Sequence, residues 1–267
     1  MDNIVLGTDF ITDILLVSVR AEPPMQLIPG LLETQVALRT LGEALVKAAC
    51  WRLDLELGEL EANYRPALTT LGQQGIDAEI YLYDTLPGGA GFCRQVGDLG
   101  CEVFELALKL LGNCDCDSSC YKCLRSYKNK FEHELLDRHV AASLLRSALY
   151  GGPPVFTDYR LDQAADMLYW ALRLRGVEGV SFERSAEVSD PGVGRAVSPI
   201  VAKTADGKVH AICVSPPLTP DHVLDPGLAD LKEFSVAVPV LPMNELLIRR
   251  NLPGATDDVV RWLGVPG

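Results

Sequence analysis

The sequence is short of positive charge: 24 Lys and Arg stand against 36 Asp and Glu, a formal net charge of −12. That balance excludes a protein that coats nucleic acid with its whole surface, because such binding depends on cations displacing counterions from phosphates. Long apolar runs are also missing, and Met1-Asp2-Asn3-Ile4-Val5 offers no basic region followed by an apolar stretch. The chain is therefore expected to be soluble and cytoplasmic, with no membrane partner. Cys50, Cys93, Cys101 and Cys213 are scattered singly, so the paired cysteine framework of small secreted domains is absent. Repeats and low-complexity tracts are absent as well.

The remaining cysteines are concentrated. Cys114 to Cys123 reads C-D-C-D-S-S-C-Y-K-C, placing Cys114, Cys116, Cys120 and Cys123 within reach of one tetrahedral zinc ion. Four thiolates close the coordination sphere and leave no open position for water or substrate, so one structural, non-catalytic zinc is expected. Four reduced thiols or two disulfides are the alternatives; two ligand pairs at short spacing favour zinc. Beside the cluster, Lys122, Arg125, Lys128 and Lys130 fall within nine residues with no acid between them. This strip is a local phosphate-binding candidate, or a solvated face next to a metal knuckle.

A 48% hydrophobic, 22% charged composition suits globular cores, and the pattern along the chain predicts a mixed α/β (α+β) fold. Ile14 to Val19 has the signature of a strand buried on both faces. Leu32 to Trp51 predicts an amphipathic helix, with Leu38, Leu41, Leu45 and Ala48 on its core stripe and Arg39, Glu43 and Lys47 off it. Leu53 to Leu60 alternates apolar with acidic residues, as a strand with one wet face or a continuing helix would. Ala78 to Tyr83 predicts a strand, Val96 to Leu111 a helix, and Leu135 to Tyr150 another helix. His133 and His139, near the start of that helix, are expected to be satisfied or exposed rather than ligands.

Between the strand at Ala78 to Tyr83 and the next helix lies Asp84-Thr85-Leu86-Pro87-Gly88-Gly89-Ala90-Gly91-Phe92. Gly88, Gly89 and Gly91 let backbone amides turn inward at a helix N-terminus, where an anion is favoured. The loop lacks the Gly-Lys-Ser/Thr ending of a nucleotide-binding loop, so an ATP site is not expected. Without a ligand it reads as a tight turn packed on the zinc knuckle. Cys93 has no base placed by sequence to activate it and is expected to be a buried or half-buried thiol.

Gly151-Gly152-Pro153-Pro154 is the strongest candidate boundary and divides the chain into a zinc-binding domain, 1–152, and a smaller α/β domain, 153–267. In the second part a helix capped by Asp158 and ended at Gly176 is expected, then a strand at Val180 to Val188. Val197 to Thr204 and Lys208 to Ser215 flank Asp206-Gly207 as a hairpin. A strand at Phe234 to Val240 and helices at Pro242 to Arg250 and Asp257 to Leu263, the latter capped by Thr256, complete the expectation.

Taken together, the first helix, the glycine loop, the cysteine cluster and Cys123-Leu124-Arg125-Ser126-Tyr127-Lys128-Asn129 leading to Leu135-Leu136-Asp137-Arg138 resemble a known domain. It is the zinc-binding C-terminal domain of MrfA-type (mitomycin-repair) helicases, shared with the DrmB-like subunit of the DISARM anti-phage system. The resemblance covers roughly residues 1–150. It implies a non-catalytic module beside a superfamily 2 helicase motor, with Cys114, Cys116, Cys120 and Cys123 as zinc ligands and Gly88, Gly89 and Gly91 as the glycine loop. Lys122, Arg125, Lys128, Lys130 and, in the Leu-Asp-Arg helix, Arg138 are the candidate contacts to single-stranded or forked DNA. Members usually carry motor domains; here neither a P-loop lysine motif nor an Asp-Glu-x-His-like motif is present, so the motor is expected on a separate chain.

Residues 155–267 lie outside the resemblance. Their element order is compatible with a degenerate restriction-endonuclease-like core, but the strands at 198–202 and 210–214 lack the metal-holding carboxylates such a nuclease needs. Three readings follow: an accessory subunit in anti-phage defence or DNA repair that binds a helicase and DNA, an assembly module that never touches nucleic acid, and a metal-dependent nuclease.

Overall fold

A computed structural model describes residues 9–66, 77–152, 157–190, 194–219 and 238–265. They divide into two compact units, Met1–Pro153 and Pro154–Gly267. Residues 1–8 and Pro153-Pro154 of the sequence expectations lie outside the described residues.

In the first unit the strands β1 (Ile14–Arg20), β2 (Leu60–Pro66) and β3 (Asp77–Asp84) form an antiparallel sheet in the order β1-β3-β2. The 22-residue helix α1 (Leu32–Leu53) lies on one face. Leu38, Leu41 and Leu45 are buried as their spacing predicts, each burial contributing on the order of 1.5–3 kcal/mol. Gly42 permits the close approach: a Cβ there would lie 3.1 Å from the Cβ of Ala62. Helices α2 (Phe92–Leu99), α3 (Cys101–Gly112) and α4 (Arg138–Tyr150) complete the unit, with a 3-10 turn at Lys130–Leu135.

Several expectations need correction. β1 is not buried on both faces: it is an edge strand, and Ile14 and Leu16 point to solvent from the sheet face opposite α1. Between Leu53, the last residue of α1, and Leu60, the first of β2, residues 54–59 are neither strand nor continued helix. Asp54 closes α1 in the left-handed conformation (φ 55°) and turns carry the chain to Leu60, so the alternation there reflects turn chemistry. The helix expected over Val96 to Leu111 is two helices, broken at Gly100 (φ 55°, ψ −126°). The helix expected from Leu135 starts at Arg138, because Asp137 caps it by accepting from the His139 and Val140 amides.

The second unit places α5 (Asp158–Arg175) on a four-stranded sheet of β4 (Val180–Asp190), β5 (Gly194–Thr204), β6 (Val209–Ser215) and β7 (Val240–Asn244), ordered β4-β5-β6-β7. β4, β5 and β6 pair antiparallel and β7 runs parallel to β6, with the β5–β6 turn at Asp206-Gly207. Leu168, Leu172, Ile200, Ile212 and Val259 form the core on one face, joined by α6 (Glu245–Arg250) and α7 (Leu252–Leu263). Of the strand expected at Phe234 to Val240, residues 234–237 lie outside the described residues; the observed strand begins at Val240. Pro242 belongs to that strand rather than to a helix, because Asn244 caps α6 from the strand's end. Asn251, not Thr256, caps α7, and the Thr256 hydroxyl instead donates back to the Leu252 carbonyl. No described helix is long and apolar enough to cross a membrane.

Candidate zinc centre and its basic exit strip

The four cysteines that the spacing singled out converge. Their sulfur atoms all lie within 4.8 Å of one another. Cys114 to Cys120 and Cys116 to Cys123 are 3.6 Å apart, and Cys120 to Cys123 is 3.7 Å. A zinc tetrahedron with sulfurs at about 2.3 Å has edges of about 3.8 Å, so the donor set fits that ion in kind and in size. The turn is built for it: the Cys123, Leu124 and Arg125 amides all donate to the Cys120 carbonyl, and the Cys120 amide donates to the Cys123 sulfur at 3.2 Å. Burial pushes the Cys116 and Cys123 thiols up, whereas the Lys122 amide draws Cys120 down to about 6. A cluster of four thiolates therefore requires a cation among them, and a dication satisfies that requirement.

Helix α1 grips the exit of this knuckle with a row of polar residues. Arg39, Glu43 and Lys47, one turn apart and off the core stripe as predicted, are half-buried. The Lys47 ammonium donates to the Cys123 and Arg125 carbonyls at 2.8 and 3.2 Å, bringing positive charge next to the thiolates. Glu43 accepts from the Asn129 side chain at 2.8 Å, and Arg39 pairs with both Glu43 and Glu132. Asn129, itself buried, also donates to the Leu124 carbonyl and accepts from the Ser126 amide. The Thr40 hydroxyl donates to the Leu135 carbonyl and accepts from the Asp137 amide. An i, i+4, i+8 row of charges along the middle of the helix was the available sequence signal for this grip.

The basic residues divide into two kinds. Arg138 donates to the Cys116 and Leu111 carbonyls at 2.8 and 3.1 Å, so it ties the knuckle to α3 rather than presenting a free cation. Arg125 is half-buried and donates to the Ser119 hydroxyl at 3.0 Å. Lys122, Lys128 and Lys130 are exposed. With them stand exposed aromatic rings that the sequence reading did not single out: Tyr121, Tyr127 and Phe131. His133 is satisfied as expected, its Nε2 lying 3.1 Å from the Ser126 carbonyl and 3.0 Å from Asn129 Oδ1, with Tyr121 edge-on against its ring.

The glycine loop is where expected, between β3 and α2, but its amides are engaged internally. Asp84, at 0% exposure, accepts from the Ala90, Phe92 and Cys93 amides at 2.7, 3.0 and 2.9 Å. Gly88 donates to the Ile11 carbonyl, Gly89 to Leu86, and Gly91 to the Asp13 carboxylate. The anion favoured at the α2 N-terminus is thus a side chain of the protein itself, and a phosphate finds these donors already taken. The loop packs on the 11–13 segment rather than on the zinc knuckle. Burial pushes the Asp84 carboxyl up, but the hydrogen bonds from Cys93, Ala90 and Phe92 outweigh it and hold its pKa below the ordinary value. Cys93 is buried as expected, and burial pushes its thiol up to about 12.

This geometry gives the comparisons with known proteins their context. Residues 41–124 match the MrfA Zn-binding domain family. The matched segment runs from the middle of α1 to the residue after Cys123, so it contains all four sulfur ligands and, of the basic strip, Lys122. The resemblance to MrfA-type zinc domains therefore holds, and zinc is the cofactor of the cysteine cluster. The chain is also 30% identical over 276 aligned residues to the Druantia protein DruE of Escherichia coli (strain UMEA 4076-1). That alignment takes in 98% of this chain but only 14% of DruE. The crystal structure of the DUF1998 helicase MrfA bound to DNA is 19% identical, with a TM-score of 0.32 over 43% of this chain and 14% of that one. At that score the superposition carries no argument of its own.

Proposed function

We propose that this chain is a non-enzymatic, zinc-scaffolded accessory part of a DNA-processing assembly in anti-phage defence or repair. A superfamily 2 helicase motor on a separate chain supplies the ATP hydrolysis, in the cytoplasm. The observation that carries the reading is the arrangement at the knuckle exit. Zinc, Lys47 and Asn129 hold the backbone, leaving Lys122, Lys128 and Lys130 exposed on a chain that is otherwise acidic. The match to DruE along nearly the whole chain supports a place within a much larger machine. The engagement of the loop amides by Asp84 supports a structural rather than nucleotide-binding loop. β5 and β6 carry no Asp or Glu, which supports a second unit that does not cleave phosphodiesters.

The test is binding of the zinc-loaded chain to labelled single-stranded and forked DNA at increasing salt. Three lysines meeting phosphates correspond to a log–log slope of about −2 on single strands. Lys128→Glu with Lys130→Glu should lower affinity and flatten that slope. Equal affinity in the double variant removes the DNA role. It would leave a second reading, protein assembly, for which Ile14 and Leu16 exposed on the outer sheet face are the supporting observation.

A further inference from the structure

The exposed rings at the knuckle exit deepen the DNA reading and rest on it. Tyr127 and Phe131 are 77% and 89% exposed. Between them stands the Lys130 ammonium, 4.1 Å from the Tyr127 ring centroid and 4.9 Å from that of Phe131. Its Nζ also lies 3.0 Å from the Tyr127 hydroxyl oxygen. Rings this exposed are not held out by core packing, and the backbone beneath them is held firmly. Asn129 is buried between the two rings in sequence, bonded to Glu43 and the Leu124 carbonyl, and Glu132 is paired with Arg39. The arrangement is a tethered turn in which the Lys130 ammonium sits over one side of the two rings and leaves the rest of each ring to solvent, while Lys128, exposed on the same turn, lays its side chain across Gly58.

We infer that Tyr127 and Phe131 form a stacking platform for unpaired bases, with Lys128 and Lys130 neutralising the adjoining phosphates, so that this surface selects single-stranded over duplex nucleic acid. The argument is one of charge and shape together. Lysines alone attract any polyanion, paired or not. A flat exposed ring gains only where a base has left its own stack, since in a duplex both faces of every base are covered; stacking of that kind is tolerant of sequence and joins electrostatic grooves in single-strand binders. The local chemistry therefore matches an unpaired strand better than a duplex backbone, and better than an acidic peptide, which would leave the rings without a partner.

The experiment uses the full zinc-loaded chain and three labelled probes of about twenty units: oligo-dT, an abasic deoxyribose-phosphate chain of the same charge, and a duplex. The expected result is that oligo-dT binds at least about tenfold tighter than the abasic chain. Y127A with F131A should abolish that preference while leaving abasic and duplex binding unchanged, and Y127F should retain it. Lys128→Glu with Lys130→Glu should weaken all three probes together. Equal binding of oligo-dT and the abasic chain by the wild type would overturn the stacking platform but leave the lysine contacts standing. An equal loss on every probe in Y127A with F131A overturns it too. Absence of binding to all three probes removes the DNA reading beneath it. Both rings are at the surface, so the variants should hold one zinc per chain, and release of that zinc to a chromogenic chelator reports whether they do.

Discussion

Replacing Asp84 by Asn tests the assignment of the glycine loop most directly. The wild-type carboxylate spreads three amide bonds over two oxygens, with Oδ2 receiving Ala90 and Phe92 and Oδ1 receiving Cys93. A carboxamide of the same shape keeps one acceptor oxygen and turns an NH2 toward at least one of those amides. Each buried donor left without an acceptor costs on the order of 1–3 kcal/mol, and the charge assistance on the retained bonds is lost as well. The expected loss is about 2–4 kcal/mol for the first unit, or a midpoint shift of about 1–2 M urea. Pulsed thiol labelling read by mass spectrometry isolates that unit, because buried Cys50 and Cys93 report on it and buried Cys213 reports on the second. The sign with pH follows from the depressed carboxyl. Its stabilisation is fully present above the unfolded Asp pKa of about 3.9 and is lost as pH falls through the lower folded value, so wild type and D84N should converge in acid. An unchanged Cys93 midpoint in D84N would refute the reasoning.

The zinc centre yields a stoichiometry of one per chain, and Cys116→Ser should cost the fold of the first unit rather than an activity, seen as early labelling of Cys50 and Cys93. Lys47→Met keeps the length of the stem but removes the donor to the Cys123 and Arg125 carbonyls, and should speed zinc loss to a chelator several-fold. A thiol reagent near pH 8 should label Cys101 fast among the cysteines outside the cluster, because burial pushes Cys50, Cys93 and Cys213 up to about 11, 12 and 12; chelation should then expose the cluster thiols. In the second unit, buried Glu245 accepts from Arg160 at 2.6 Å and also from Arg249; because Arg249 stays in place, Arg160→Met should destabilise that unit by about 1.5–3 kcal/mol in a Cys213 labelling curve, leaving Cys93 unaffected.

What the sequence determined by itself about this protein is its local chemistry. Cysteine spacing named the zinc ligands because they are close in the chain, and the apolar spacing of α1 located the helix because burial of one stripe is a local pattern. Hairpin and cap residues placed β5, β6 and the end of α5 for the same reason. Tertiary structure decided which partner each polar group takes. Arg39, Glu43 and Lys47 look like a solvent face until residues some eighty positions away fold over them. Arg138 looks like a DNA contact until the Cys116 and Leu111 carbonyls lie within its reach, and the glycine amides look like a phosphate cradle until Asp84 fills them. β1 reads as a buried strand because hydrophobicity marks a strand without saying whether it lies at a sheet's centre or edge. The exposed rings of Tyr127 and Phe131 could not be told from core aromatics in sequence, since only the packing of the chain leaves them in water.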